Sequence, residues 1–488
     1  MIRTSPDPRR WRALSVIALV QFMLVLDITV VNVALPHIQT DLHFSRAGLA
    51  WVVDGYVLTA GGLLLLGGRL GDLVGRRRVF IWGVLLFAAA SAMSGASANS
   101  GMLVASRFLQ GTAEALASPA AFGLVALLFT DPAERTKAIG IFGGVAGLGG
   151  TLGPVISGVL LTVGSWRWIF FVNIPVAVFA VLAVSRLTDE SRADRSAEAP
   201  RPDIAGAVLG TAGLVGIVYG FVSAGSHPWG ATSVVASLAA GTACLAAFVL
   251  RERLAADPLI PHGFLGNRTR VSANVANMMF ASVFFTLFFL VTLYLQQVEH
   301  YSAMKTGLAY LPFGIVIGVG IGLSSAVISR VGMKSILVTG AVFVAGGLAL
   351  MSRITVHGSY FSQIFPAEVV TGFGSGLSFA AFGNASMHEV SGQDASLAAG
   401  VQSTFQQVGG AVGLAVLATI ALRHTDAAVA HGVAFSVAST RGAVLALRAS
   451  AVVGALAALI VALSPIAKPR SADEVALADR LSAETSGT

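Results

Sequence analysis

Four carboxylates interrupt stretches of sequence that are otherwise apolar: Asp27, Asp54, Glu114 and Glu368. An ionised side chain in hydrocarbon is costly, so each is expected to face a cavity or a partner rather than lipid. Arg107 lies seven residues before Glu114, which puts the two on one helix face, two turns apart. A carboxyl taken out of water binds its proton more tightly, and a neighbouring guanidinium loosens it again. A set balanced in this way can load a proton on one side of a membrane and unload it on the other. Where a cation and a proton compete for one carboxylate, binding of either expels the other, and exchange follows without a separate relay. The alternative for each acid is an ion pair that only fixes helix packing.

Phe280, Phe284, Phe285, Phe288 and Phe289 form two adjacent stripes at helical spacing. Such rings either line an apolar, cation-attracting pocket or face lipid. Gln402, Gln406 and Gln407 offer polar contacts to a ligand or to a neighbouring helix. The candidate proton-coupling residues are therefore Asp27, Asp54, Arg107 and Glu114, and the candidate substrate contacts are Asp54, Glu114, Phe284, Phe288, Glu368 and Gln406. Enzymatic chemistry has no comparable grouping, because the nine histidines are scattered mostly in loops. The single cysteine, Cys244, excludes a disulfide framework and a cysteine metal cluster, and no metal site is expected. There is no Gly-x-x-x-x-Gly-Lys-Ser/Thr loop, so no cofactor or direct ATP use is expected and a proton gradient is the default energy source.

The elements that must position these residues are membrane spans. With 55% hydrophobic and 11% charged residues in 488, too little polar surface exists to cover a water-soluble body. Apolar runs of about 20 residues predict fourteen helices. Six fall near 12–35, 47–69, 79–97, 101–124, 137–162 and 167–186, two near 204–224 and 229–250, and six near 271–295, 307–328, 335–352, 360–385, 398–421 and 443–464. The domains expected are an N-terminal six-helix bundle (1–186), a linker (187–203), an inserted transmembrane hairpin (204–250), a second linker (251–270), a C-terminal six-helix bundle (271–464) and a tail (465–488). The basic start is read as an uncleaved first span, since its apolar run lacks a small-residue cleavage site.

Fourteen crossings put both termini on one side. Arg76, Arg77, Arg78, Arg135, Lys137, Arg186, Arg251, Arg253, Arg268, Arg270 and Arg330 all fall on that side, whereas the opposite loops hold scattered cations such as Arg46, Arg167, Lys305, Arg353 and Arg423. The bias makes the side of the termini cytoplasmic. It also accounts for the net charge of +7 without nucleic acid, because the basic residues form no single patch. An internal repeat runs through the chain: residues 107–123 match 367–383, 72–80 match 329–337, and 146–153 match 406–413.

Two further patterns concern conformational change. Gly68-Arg-Leu-Gly-Asp72-Leu-Val-Gly75-Arg76-Arg77-Arg78 is a tight turn in which Gly75 is expected at positive φ and Asp72 can accept from arginines or helix ends. The run Gly140 to Gly158 carries glycines four apart, a face stripped of side chains where another helix can approach closely, and Pro154 invites a bend.

These patterns resemble known ones. The turn, through Asp72, Gly75, Arg76 and Arg77, is similar to the second-to-third-helix motif of the major facilitator superfamily. Gly140, Gly149, Gly153, Pro154 and the pair Ser157-Gly158 resemble the antiporter motif of its exporters, with Ser157 in place of the usual glycine. Leu26-Asp27-Ile28 to Pro36 looks like the first-helix motif of the fourteen-span drug:proton antiporters, and Arg107-Phe-Leu-Gln110-Gly111 looks like their fourth-helix motif. Trp51-Val-Val-Asp54-Gly-Tyr56 is similar to the setting found in exporters of quaternary ammonium compounds, whereas Glu114 departs from the usual small residue.

The resemblance implies an all-α major facilitator fold of two six-helix bundles plus a hairpin, and proton-driven export of lipophilic drugs, with cations the expected class. Asp72 to Arg77 would latch the halves in the outward-open state, and Gly149, Gly153, Pro154 and Gly158 would form hinge and seal. The expected setting is a bacterial cell membrane, the expected state a monomer, and the partners drugs, protons and lipid. A dedicated exporter of one antibiotic or metabolite is the alternative. A membrane sensor or embedded enzyme is more remote, because the loops are too short for a signalling domain.

Overall fold

Each apolar run closes into a helix because backbone groups in hydrocarbon have no partner except one another. A computed structural model of the chain describes residues 9–129, 131–188, 203–255, 258–260, 264–386, 388 and 395–464. Fourteen helices in it are long and apolar enough to cross a membrane. The N-terminal six are α1 (Arg10–Asp41), α2 (Gly48–Gly71), α3 (Arg76–Gly95), α4 (Ser100–Leu128), α5 (Lys137–Val163) and α6 (Trp168–Leu187). Then come α7 (Ile204–Ala224) and α8 (Thr232–Leu254). The last six are α9 (Arg268–Val298), α10 (Ala303–Ile328), α11 (Met333–Met351), α12 (Tyr360–Ser386), α13 (Leu397–Ala430) and α14 (Phe435–Leu463). Most of the first linker, residues 256–257 and 261–263 of the second, and the tail fall outside the described residues.

Local chemistry fixes several helix starts. Asn99 accepts from the Met102 amide at 2.9 Å to begin α4, Asp203 from the Gly206 amide at 2.9 Å to begin α7, and Asn267 from the Arg270 amide at 3.1 Å to begin α9. Three helices outrun the spans expected from hydropathy: α1 continues to Asp41, α13 continues to Ala430 and α14 begins at Phe435. Hydropathy detects the apolar belt, whereas polar residues such as Gln39 and Thr425 continue the helix past it.

The sequence repeat becomes a repeat of packing. In the first half α2 packs on α4, α3 on α4 and α6, and α1 on α5 and α6. In the second half the same pairs recur eight helices later: α10 on α12, α11 on α12 and α14, and α9 on α13 and α14. Gly75 (φ 117°) joins α2 to α3 and Gly332 (φ 88°) joins α10 to α11, each in the backbone region that disfavours a side chain. The halves meet along two seams related by the same repeat, α2 with α13 and α5 with α10. The hairpin covers one of them. Its α7 lies on both α2 and α13, with Trp51 and Tyr219 rings 6.2 Å apart and the Thr419 hydroxyl donating to the Phe221 carbonyl at 2.8 Å.

The fourteen crossings bring both ends of the bundle to one face, termed here the terminal face; the other is the far face. The halves are closed together at the far face. Gln296 donates to the Val33 carbonyl at 2.8 Å, Gln297 to Gln39 at 3.0 Å, and Arg46 pairs with Asp426 at 2.5 Å. Along α5, Thr151 lies against Gly314 and Gly158 against Met304 of α10. Gly149 and Gly153 instead pack against Phe22 and Thr29 of α1 in their own half, and the Pro154 carbonyl faces Gly307 of α10. Towards the terminal face the same helices part: a Cβ added at Gly140, Gly143 or Gly144 of α5, or at Gly318 or Gly322 of α10, would meet open space.

This asymmetry sets up opposed substitutions. Gly144, Thr151 and Gly158 lie seven residues apart and share the α10-facing stripe. A Cβ at Gly158 would sit 2.8 Å from the Met304 Cα, so Gly158→Leu is expected to hold the far face open. Gly144→Leu meets nothing until the terminal face closes, so it is expected to trap the state described here. Paired spin labels across each face, read as distance distributions, should shift in opposite directions; shifts of the same sign would remove the α5–α10 seam from the switch.

Candidate functional site

The polar residues of the N-terminal half converge where α1, α2, α3, α4 and α6 meet. Asp27 of α1, fully buried, accepts from Gln110 at 3.1 Å and from Asn173 of α6 at 2.8 Å, and pairs with the Arg107 guanidinium of α4. Arg107 is almost as buried. Its Nε donates to the Val52 carbonyl at 2.7 Å, its Nη1 to Gln110 at 2.9 Å, and it stands 4.4 Å from the Tyr56 ring centre. Ser91 of α3 closes the set by accepting from Gln110 at 2.9 Å. Every member is satisfied, so the network fixes one geometry while keeping a carboxylate and a cation out of water.

Tyr56 connects this network to Glu114: its ring lies under Arg107 and its hydroxyl lies towards the Glu114 carboxyl. Glu114, nearly buried, is also reached at 3.4 Å by Gln407 of α13 in the other half. The glutamine that makes this contact is Gln407 rather than Gln406, because Gln407 lies on the α13 face that meets Gly61 of α2. One turn beyond Glu114, Ser118 lines a cavity of about 380 Å³ that separates the halves towards the terminal face, with Gln21, Arg69, Arg76, Phe142 and Ser403.

Asp54 does not join Asp27. Two residues before Tyr56 on the same helix, it points about 200° away from the Arg107 network. It shares the stripe of Gly61 and Leu65, which lie against Gln407 and Gly400 of α13. Asp54 is fully buried and neither carboxylate oxygen has a hydrogen-bond partner among the described residues. Arg107 therefore pairs with Asp27 and not with Asp54.

In the C-terminal half the corresponding interior is aromatic. Phe284 and Phe288 are 5.1 Å apart, and both lie against Phe313 of α10, at 6.0 and 5.3 Å; Phe288 stacks on Tyr310 at 4.9 Å. Phe280 and Phe284 meet Phe379 of α12 at 5.1 and 5.6 Å. These rings pack inside the bundle and do not face lipid. Glu368 lies at the edge of this cluster, buried, with Oε2 accepting from the Tyr360 hydroxyl at 3.0 Å and Oε1 without a partner among the described residues. The four acids thus occupy three separate environments: one network with Asp27 and Glu114, the α2–α13 seam with Asp54, and the aromatic bundle with Glu368.

The loop cations hold the N-terminal half together. Arg76 donates to the Gly123 carbonyl at 3.2 Å and Arg77 to the Ser185 carbonyl at 2.6 Å, tying the α2–α3 turn to α4 and α6. The Asp72 side chain lies outside what the structure describes. Among residues that the sequence reading passed over, Asn173 and Ser91 complete the Arg107 network and Tyr360 reaches Glu368, and Tyr56, quoted there only as part of the Asp54 motif, lies against Arg107. Their signal is weak in a single sequence, since an isolated Asn, Ser or Tyr in an apolar helix is common.

A family model described as Major Facilitator Superfamily matches residues 17–414. The chain belongs to the major facilitator superfamily. Among similar superfamily members, the "Puromycin resistance protein pur8" of Streptomyces alboniger is 41% identical over 88% of this chain and 85% of its own. The "Lincomycin resistance protein" of Streptomyces lincolnensis is 37% identical, covering 84% of each chain, and the "Cephamycin export protein CmcT" of Amycolatopsis lactamdurans is 35% identical, covering 86% of each. Among solved structures, a bacterial homologue of the human lysosomal transporter Spinster, inward-facing and unoccupied, superposes with a TM-score of 0.64 at 16% identity, over 94% of this chain and 97% of that one. The drug-antiporter resemblance read from the motifs holds, and the all-helical major facilitator fold with fourteen spans is that of this protein. It is a multi-pass membrane transporter of the drug-efflux kind.

Proposed function

We propose that this facilitator exports lipophilic, cationic drugs in exchange for protons by alternating access. The observation that carries the reading is the buried Asp27–Arg107 network, linked through Tyr56 to Glu114, whose carboxyl contacts Gln407 across the two halves. A carboxyl at that junction can report its protonation to both halves, since an ionised Glu114 accepts from Gln407 with full charge and a neutral one does not. The proton motive force supplies the energy, and no cofactor takes part. The terminal face is cytoplasmic, the membrane is a bacterial cell membrane, and the protein works as a monomer in the bilayer. In that orientation the state described is inward-facing, and the 380 Å³ cavity is the entry for drug.

A second reading, export of one antibiotic only, draws support from relatives named for single compounds such as puromycin and lincomycin. The test is proton release on addition of compound to the detergent-purified protein, followed with a pH dye. A monovalent organic cation, a divalent one and a neutral antibiotic are compared. Release by both cations is expected under broad exchange. Release by one antibiotic alone selects the second reading, and no release by any compound that the protein demonstrably exports would overturn proton coupling.

A further inference from the structure

Cations on the far face are few, and most of them have partners. Arg46 pairs with Asp426, Arg167 with Asp41 at 2.6 Å, Arg423 donates to the carbonyls of Ala224 and His227, and Lys305 lies 3.5 Å from the Tyr301 ring centre. Arg353, Arg441 and Arg448 have no such partner among the described residues. All three, with His424, line one crevice of about 550 Å³ between the end of α11, the far end of α13 and the start of α14. Two acids of the far face are engaged elsewhere, Asp426 by Arg46 and Glu299 by the Tyr294 hydroxyl at 2.9 Å.

The depth and surroundings of the crevice indicate the class of ligand that fits it. Arg353 stands two residues past the end of α11, at the boundary of the apolar belt. Arg448 is level with it, although thirteen residues of α14 precede it, so the start of α14 projects beyond the membrane. From the crevice downward, Leu445, Arg448, Val452, Leu456 and Leu459 follow one another three or four residues apart, the first two lining the crevice, and the apolar members are all exposed. Arg448 therefore sits on the lipid-facing stripe of α14 itself. A cation there requires an anion at headgroup level, and hydrocarbon lying against the leucines below would belong to the same molecule.

We propose that Arg353, Arg441 and Arg448 bind the phosphodiester headgroup of an anionic phospholipid in the far leaflet, with its acyl chains along Val452, Leu456 and Leu459. Arginine suits this task because its planar fork holds phosphate oxygens in pairs. His424 stands at the rim of the same crevice.

The test uses full-length protein in detergent, incubated with phosphatidylglycerol, phosphatidylcholine or inorganic phosphate. Native mass spectrometry counts retained molecules, and thermal melting reads protection. Basic loops on the terminal face also attract anionic lipid, so the decisive quantity is the difference between wild type and variants. The wild type is expected to hold one more phosphatidylglycerol than Arg441→Gln/Arg448→Gln, with at least a fivefold preference over phosphatidylcholine. Arg448→Lys, which keeps the charge, is expected to recover part of that preference. If the glutamine variant does not fold, Arg353→Gln is measured in its place, with loss of the same bound lipid expected. Equal retention by wild type and variants overturns the proposal. So does protection by inorganic phosphate that matches phosphatidylglycerol, which would make the crevice a site for a soluble anion.

Discussion

Asp27→Asn is expected to abolish proton-coupled export in a protein that still folds and inserts. Asp27 is the only acid paired with Arg107 among the described residues, and removing one member of a buried ion pair costs about 3–5 kcal/mol. Arg107 would keep the Val52 carbonyl, the Gln110 oxygen and the Tyr56 ring, which limits the loss. The new amide can accept from Arg107 with its oxygen, but its NH2 then faces the amide donors of both Gln110 and Asn173, which approach the other carboxylate oxygen of Asp27 at 3.1 and 2.8 Å; the flipped amide accepts from those two and turns its NH2 on Arg107. No rotamer satisfies all three neighbours. A second variant, Asp27→Asn with Arg107→Gln, removes the uncompensated cation and is expected to regain most of the melting temperature without regaining coupling. Drug-dependent proton flux in vesicles and thermal melting in detergent give the two readouts. Normal coupled export by Asp27→Asn would remove Asp27 from the mechanism, whatever its stability.

Some of this arrangement was legible in the sequence because its cause is one-dimensional. Hydrocarbon thickness sets span length, and alternation of sides sets where arginines fall, so fourteen helices follow from counting. The duplicated glycine patterns likewise gave the pairing of halves, since a glycine such as Gly332 repeats what Gly75 does. Rotation about a helix axis was harder to read. Asp54 and Tyr56 are two residues apart, yet one belongs to a seam and the other to a polar network, and only the packing of α13 and α7 decides which. The same limit separates Gln406 from Gln407, and it left Phe284 and Phe288 between lipid and core until α10 and α12 were placed around them.

The two halves have kept one backbone plan and divided the chemistry. Where the first half holds Asp27, Arg107, Gln110 and Asn173 in a satisfied network, the second packs Phe280, Phe284, Phe288 and Phe313. A charged network has a defined protonation state, whereas an aromatic cluster adapts to apolar ligands of different shape and attracts cations to its ring faces. Under the proposed function, proton handling by the first half and drug contact at the aromatic cluster need a connection, and the Glu114–Gln407 contact is one polar bond between the halves, beside those that close the far face.

Asp54 supplies the second large effect, through stability as much as transport. A buried polar group without a partner costs about 1–3 kcal/mol, and more when charged. Asp54 has two such oxygens in the α2–α13 seam. Asp54→Leu is therefore expected to raise the melting temperature while abolishing export of divalent cations and sparing neutral drugs. Asp54→Asn, equally uncharged but still polar and unpartnered, should match Asp54→Leu in transport and show little gain in stability. The contrast separates charge from burial. A carboxylate kept in an apolar seam at a loss of stability is explained by a ligand that neutralises it during the cycle, whether proton or drug. If both variants export dications as the wild type does, that explanation fails, and the carboxylate must instead find a partner in the outward-facing arrangement, which distance measurements on Gly158→Leu with and without Asp54→Leu would reveal as a loss of the far-open population.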